Sequence, residues 1–134
     1  MNKNKLHFLL VLLVVFLYAS CDRRDGDWDD SIKLSTKKAI FSAQGDSITI
    51  KTGGSWWWIN NITLNNNAIW YSLPELADST QYTINLDSFI VERRDNKTLF
   101  VKAMKNNLNT QRKIQICLEA GDYFDYVIIT QNGQ

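Results

Sequence analysis

The chain has 134 residues, 15 lysines and arginines against 14 aspartates and glutamates, and a formal net charge of +1. A hydrophobic fraction of 45% with 12% aromatic residues is typical of a globular protein and argues against a disordered chain or a collagen-like repeat. The length favours one compact domain. A charge near zero, without a basic stripe, argues against nucleic acid as a partner.

The first twenty residues have the pattern of a secretory signal peptide. Lys3 and Lys5 precede an almost unbroken apolar run from Leu6 to Tyr18. This run is shorter than the roughly 20 residues that a membrane-spanning helix needs. We therefore predict that residues 1–20 are a signal peptide, which the mature protein lacks. On the residues alone, the next residue, Cys21, is either incidental or the site of a modification.

The residues around Cys21 resemble the lipobox of bacterial lipoproteins, because the small residues Ala19 and Ser20 stand directly before the cysteine. The resemblance implies that the Cys21 thiol receives a diacylglyceryl group and that its acyl chains hold the protein to a membrane. The acid-rich stretch that follows is similar to the export signals of Bacteroidetes surface lipoproteins. That similarity implies a protein lipid-anchored to the outer membrane of the cell envelope and exposed at its surface.

Residues 21–34 are predicted to form an acidic, flexible tether. They begin with the polar stretch CDRRDGDWDD, which has no apolar periodicity. Asp25, Asp27 and Asp29 alternate as ligands do in some calcium loops. The positions where such a loop needs glycine and glutamate hold Asp30 and Thr36 instead, so we expect no metal site.

From residue 35 to residue 134 the sequence predicts a domain of short β-strands. Apolar residues recur with period two, as where Ile48 and Ile50 alternate with polar neighbours, and turn residues separate the runs. Many short strands joined by turns favour an all-β, two-sheet sandwich. The predicted strands are 38–43, 46–51, 56–63, 82–86, 89–93, 98–104, 112–119 and 123–131.

Three local predictions accompany these strands. Leu73 to Asp78 contains the only proline of the chain and is expected to form a short helical turn. The run FDYVIIT, residues 124–130, is apolar enough to predict a nearly buried strand. Arg93 and Arg94 precede an Asp-Asn turn and are expected to be solvated at the end of a hairpin.

The closing pattern of the chain resembles the BACON domains of Bacteroidetes. It consists of a strand, a turn containing Asn106, Thr110 and Arg112, another strand, and a last strand that ends in Thr-Gln-Asn-Gly at residues 130–133. The resemblance covers Ser35 to Gly133. It implies an immunoglobulin-like sandwich without catalytic activity and a role in binding carbohydrate or mucin-type glycan. The chain departs from the family in a long insertion from residue 61 to residue 80.

The residue types argue against an enzyme. The only histidine, His7, lies in the predicted signal peptide, and Cys117 has no obvious base beside it in the sequence. A glycosidase needs two carboxylates across a cleft, and Glu75, Asp78 and Asp87 are the only candidates near the insertion. The sequence therefore predicts no catalytic residues and no cofactor.

The tryptophans are the strongest indication of a binding site. In a strand, Trp57 and Ile59 point to one side, while Trp56, Trp58 and Asn60 point to the other. Either the insertion covers the second set, or Trp56, Trp58 or Trp70 forms an exposed surface beside asparagine side chains. The second alternative predicts a surface that binds glycan or another protein. A structural or protein-interaction subunit of a cell-surface complex is the other function that fits the sequence.

Overall fold

A computed structural model describes residues 29–134 of the chain and confirms the predicted all-β, two-sheet sandwich. Within this range the chain forms nine strands and one short 3₁₀ helix at Pro74–Leu76. No helix in the described range is long and apolar enough to cross a membrane. The strands are β1 (Lys38–Phe41), β2 (Asp46–Lys51), β3 (Trp58–Leu64), β4 (Asn67–Tyr71), β5 (Tyr82–Leu86), β6 (Phe89–Asp95), β7 (Thr98–Ala103), β8 (Arg112–Ala120) and β9 (Tyr123–Gln131).

The strands form one sheet of five and one of four. The five-stranded sheet has the order β1-β9-β8-β3-β4, and the four-stranded sheet has the order β2-β7-β6-β5. All neighbouring pairs are antiparallel except β1 and β9, which are parallel. The apolar side chains that alternate along these strands meet between the sheets, as Ile114, Ile116 and Leu118 of β8 do.

The insertion supplies a strand that the sequence did not predict. Asn67–Tyr71 forms β4 at the edge of the five-stranded sheet, paired with β3. Only Trp70 of this strand is partly buried, so the strand has almost no apolar alternation. The 3₁₀ helix follows β4, where the short helical turn was predicted.

The predicted boundary between tether and domain is too late in the chain. Cys21 and the signal peptide lie outside the described residues, but Ile32 is fully buried in the core. The Asp30 carboxylate accepts hydrogen bonds from the backbone N–H groups of Ile32 and Lys33, and Leu34 bridges to Thr52. The folded unit therefore begins at about Asp30, because its hydrogen bonds and an apolar anchor hold this segment to the sandwich.

The prediction that Arg93 is solvated is wrong. Its side chain is buried, and its guanidinium lies 4.4 Å from the ring centroid of Trp57. The guanidinium also donates to the carbonyl oxygens of Ser79, at 2.5 Å, and Ser55, at 3.3 Å. Arg93 faces inward because it occupies the same side of β6 as Phe89 and Val91. It therefore ties the end of the insertion to the core.

The residues that carry the resemblance to BACON domains build the end of the sandwich. Gln131 is fully buried, accepts from Arg112 Nε at 2.7 Å, and donates to the carbonyl oxygens of Ser42 and Met104. The Asn106 amide donates to the carbonyl oxygens of two neighbouring loop residues. Gly133 packs so tightly that an added Cβ would lie 2.6 Å from the backbone of a neighbouring loop. The contacts of these residues therefore stabilise the fold at this end of the sandwich.

Candidate functional site

The register of three strands places Trp58 on the outer surface of the five-stranded sheet. Trp58 lies opposite Glu119 of β8, and Glu119 lies opposite Phe124 of β9. Directly opposed residues share a face of the sheet. Their neighbours Ile59 and Leu118 are fully buried on the inner face. Trp58, Glu119 and Phe124 therefore form a row across the outer surface.

A second row runs beside the first across four strands. Tyr71 lies opposite Asn61, Asn61 opposite Cys117, and Cys117 opposite Tyr126. With neighbouring strands about 4.8 Å apart, the row extends about 14 Å. Tyr71 is 67% exposed and Tyr126 is 42% exposed. The two rows are adjacent because Cys117 and Glu119 are two residues apart on β8.

Trp56 extends the first row beyond the end of β3. Its ring centroid lies 5.7 Å from that of Trp58 in an edge-to-face arrangement with an interplanar angle of 73°. The ring also lies over Gly121 in the β8–β9 turn, and it is 67% exposed. We refer to this surface as the aromatic face; it consists of Trp56, Trp58, Tyr71, Phe124 and Tyr126 with the polar residues Asn60, Asn61 and Glu119.

A β-bulge brings two consecutive asparagines onto the aromatic face. The pairing of β3 with β8 shifts between Ile59 and Asn61, so Asn60 is the additional residue. The backbone N–H of Ile59 donates across the core to Tyr82 Oη at 3.0 Å. Burial raises the pKa of Tyr82, so its hydroxyl stays protonated. Asn61 Nδ2 donates to Asn60 Oδ1 at 2.6 Å, and Asn60 Nδ2 donates to Glu119 Oε2.

Cys117 lies on the same side of the sheet as the aromatic face but is only 2% exposed. Tyr126 lies directly opposite on β9 and shares this side of the sheet with it. Burial raises the pKa of the Cys117 thiol, because the thiolate would lose its hydration. A buried thiol with a raised pKa is a weak nucleophile. Cys117 therefore contributes packing rather than reactivity.

The structure brings three of the four predicted site residues together. Trp56, Trp58 and Asn60 lie on the aromatic face. Trp70 does not join them: it lies opposite the core residue Ile62 and packs against the core from the inner side of β4. Trp70 was predicted to belong to the binding site, but it is not part of the aromatic face. The insertion does not cover Trp56.

The sequence did not point to four residues of the aromatic face. The run 124–130 was predicted to be nearly buried, but Phe124 is 45% exposed. The period-two alternation of this strand could have shown that Phe124 faces outward, because it places the next residue, Asp125, on the inner side. There Asp125 forms an ion pair with Lys37 at 2.8 Å. The other missed residues join the aromatic face through the pairing of β3 with β4 and β8 and of β8 with β9, which no local pattern encodes. The missed residues are Tyr71, Phe124, Tyr126 and Glu119.

The carboxylates considered for catalysis do not form a pair on the aromatic face. Glu75 and Asp78 lie in and just after the 3₁₀ helix, and Asp87 lies in the β5–β6 turn; all three are exposed. Asp87 lines a cleft of about 270 Å³ together with apolar residues such as Ile69 and Phe89. Within residues 29–134, no three His, Cys, Asp or Glu side chains are grouped as metal ligands would be.

Comparison with known proteins supports the fold. No protein-family model and no curated protein matches the chain. A solved NMR structure of a Bacteroides thetaiotaomicron protein is similar, with a TM-score of 0.63 and 22% identity over 87% of this chain and 98% of that one. A Bacteroides ovatus GH5 xyloglucanase in complex with a heptasaccharide matches with a TM-score of 0.48 and 16% identity over 78% of this chain and 19% of that one. At 22% identity the first likeness shows a shared fold.

Proposed function

We propose that this chain is a non-enzymatic, lipid-anchored envelope protein of the BACON type whose aromatic face binds carbohydrate. The observation that carries the proposal is the set of exposed rings on one surface of the sandwich. Trp56 and Tyr71 are each 67% exposed, and Phe124 and Tyr126 are each more than 40% exposed. Apolar surface that is gathered in one place on a protein usually has a binding role. The anchor part of the proposal rests on Cys21 and its flanking residues.

Carbohydrate fits this surface because both the sugar and the aromatic face combine apolar area with hydrogen-bonding groups. A pyranose ring has an apolar face of C–H groups, which packs on a flat aromatic ring, and a rim of hydroxyls, which need hydrogen-bond partners. On the aromatic face the rings lie beside the amides of Asn60 and Asn61 and the carboxylate of Glu119. These groups supply both donors and acceptors.

The angle between the two indoles favours a single soluble glycan chain. The planes of Trp56 and Trp58 meet at 73°, so both rings cannot lie flat on one planar surface. A crystalline polysaccharide presents such a planar surface. A flexible chain can instead bend or place separate sugars against separate rings. We therefore expect binding to oligosaccharides in solution and little retention on crystalline cellulose.

A glycan array probed with the purified full chain tests the proposal. Trp58→Ala and Tyr126→Ala should each weaken binding of the array ligand about 30-fold, equivalent to about 2 kcal/mol for a central aromatic contact. Phe100→Ala is the matched control, because this ring lies on the outer surface of the other sheet beneath the Arg94 guanidinium. It should leave binding unchanged.

Circular dichroism of each variant separates lost binding from lost fold. An array without any bound glycan would overturn the carbohydrate proposal. If envelope proteins then co-purify with the wild-type chain and are lost in Trp58→Ala, the aromatic face is a protein interface. That result would establish the second function, an accessory subunit of a surface complex, which the exposed apolar area of the face also favours.

A further inference from the structure

Glu119 is the one charged side chain in the two rows of the aromatic face. It lies on β8 directly between Trp58 of β3 and Phe124 of β9. The outward-facing lysine of β8, Lys113, is six residues away, which is about 20 Å along a strand. That distance exceeds the screening length of about 8 Å at physiological ionic strength, so Lys113 does not neutralise Glu119.

Two asparagines fix the orientation of the Glu119 carboxylate. Asn61 donates to Asn60 at 2.6 Å, and Asn60 donates to Oε2 of Glu119. In the described part of the chain, no protein group donates to the other oxygen, Oε1. An oriented carboxylate with a free oxygen beside aromatic rings accepts hydrogen bonds from hydroxyls. The same oxygen repels an anionic group that comes into the same place.

We propose that Glu119 is a specificity-determining residue that restricts the aromatic face to neutral, hydroxyl-rich glycans. The inference rests on the carbohydrate-binding function proposed above. A sugar carrying a carboxylate or a sulfate would place its charge beside Glu119, closer than the screening length, so the two like charges would repel each other. Discrimination of this kind comes from rejection of the wrong ligand rather than from an added attraction to the right one.

Matched pairs of oligosaccharides test this inference with the purified full chain. Each pair consists of a neutral member and one that differs by a single added acidic sugar, such as N-acetyllactosamine with and without terminal sialic acid, or xylo-oligosaccharides with and without glucuronic acid. Isothermal titration should show the neutral member of a bound pair binding at least about tenfold tighter. Raising the NaCl concentration to 0.5 M should reduce this ratio, because salt screens the repulsion.

The variant Glu119→Gln removes the charge and keeps an oxygen that can accept from Asn60. It should bring the ratio of the two affinities close to one, mainly by improving binding of the acidic member. Asp122→Asn is the control, because Asp122 is an exposed acid in the adjacent β8–β9 turn outside both rows. It should leave the ratio as in the wild type.

The possible results are distinguishable. If the wild type binds the neutral and acidic members equally, the assignment of Glu119 is overturned and carbohydrate binding stands. The same conclusion follows if Glu119→Gln and Asp122→Asn change the ratio by the same amount. If the wild type binds no oligosaccharide on the array or in titration, the proposed function itself is overturned, and the assignment with it.

Discussion

The two faces of the five-stranded sheet hold their aromatic side chains in opposite ways. On the inner face, the Trp57 indole N–H donates to Thr52 Oγ1 at 3.0 Å, and the Arg93 guanidinium lies over the ring. On the outer face, the ring of Trp56 is 67% exposed and touches its neighbour edge to face. Two adjacent tryptophans therefore have different roles. Trp57 stabilises the fold, whereas Trp56 leaves apolar surface exposed.

The outer surface of the four-stranded sheet shows how an exposed ring can instead be covered. Phe100 of β7 lies 3.6 Å beneath the guanidinium of Arg94, and Arg94 pairs with Glu92 at 2.7 Å. A cation stacked on the ring face removes the surface on which a ligand would pack. No arginine or lysine belongs to the two described rows of the aromatic face. The two outer surfaces therefore differ in one respect: a guanidinium covers Phe100, whereas no cation of the two rows covers the rings of the aromatic face.

The largest effect is expected when the inner ring is removed. Trp57→Ala should lower the free energy of unfolding by about 3–5 kcal/mol, because it leaves a cavity in the core. Trp56→Ala, one residue away, should change it by less than about 1 kcal/mol. Urea denaturation followed by circular dichroism measures both values. Equal losses in the two variants would mean that the faces do not differ as described.

A smaller effect is expected from the buried guanidinium over Trp57. Arg93→Met should destabilise the domain by about 2–3 kcal/mol, because the carbonyl oxygens of Ser79 and Ser55 lose a charged donor. Arg94→Met is the matched control: Arg94 is exposed, and its loss should cost under about 1 kcal/mol. The same denaturation experiment applies. A larger loss for Arg94→Met would contradict the assignment.

The smallest effect concerns the packing beneath the aromatic face. Because burial raises the pKa of Cys117, iodoacetamide should label this thiol slowly near pH 8 and faster as the pH rises through that pKa. Tyr126→Ala should speed labelling at pH 8 about tenfold by uncovering the thiol, a change of about 1.4 kcal/mol. Peptide mass spectrometry separates Cys117 from Cys21. Phe124→Ala, on the same strand and face, should leave the rate unchanged, and equal acceleration would argue against specific cover by Tyr126.

Most of the fold could be predicted because it depends on local alternation. Strands such as β8, with Ile114, Ile116 and Leu118 at every second position, carry their buried face in the sequence. β4 could not be predicted, because an edge strand that buries only Trp70 leaves no period-two pattern. The docking of Ile32 was missed because one apolar residue within a polar segment carries no periodicity.

The site was less predictable, since it depends on which strands are neighbours. The geometry of a strand was enough to separate Trp57 from Trp58. It could not bring Tyr126 next to Cys117, or Phe124 next to Glu119, because these contacts depend on the register of β8 with β9. The exclusion of an enzyme, like the lipid anchor at Cys21, stays a prediction from sequence.

The parallel pairing of β1 with β9 has a mechanical consequence. β1 follows the N-terminal segment directly, and it is joined to β9, the strand of Phe124 and Tyr126, by only four residue pairs, Lys38–Phe41 with Ile128–Gln131. If the N-terminus is tethered and flow drags on a ligand held at the outer rings, the pull first loads the docked segment around Ile32 and Leu34. Once that segment is released, the pull reaches this short ladder. Because β1 and β9 are parallel, Lys38 and Ile128 form the same end of the ladder, and this end lies nearest both the tether and Phe124. Opposed pulls applied there load the first residue pair most, so the hydrogen bonds open one pair after another from that end.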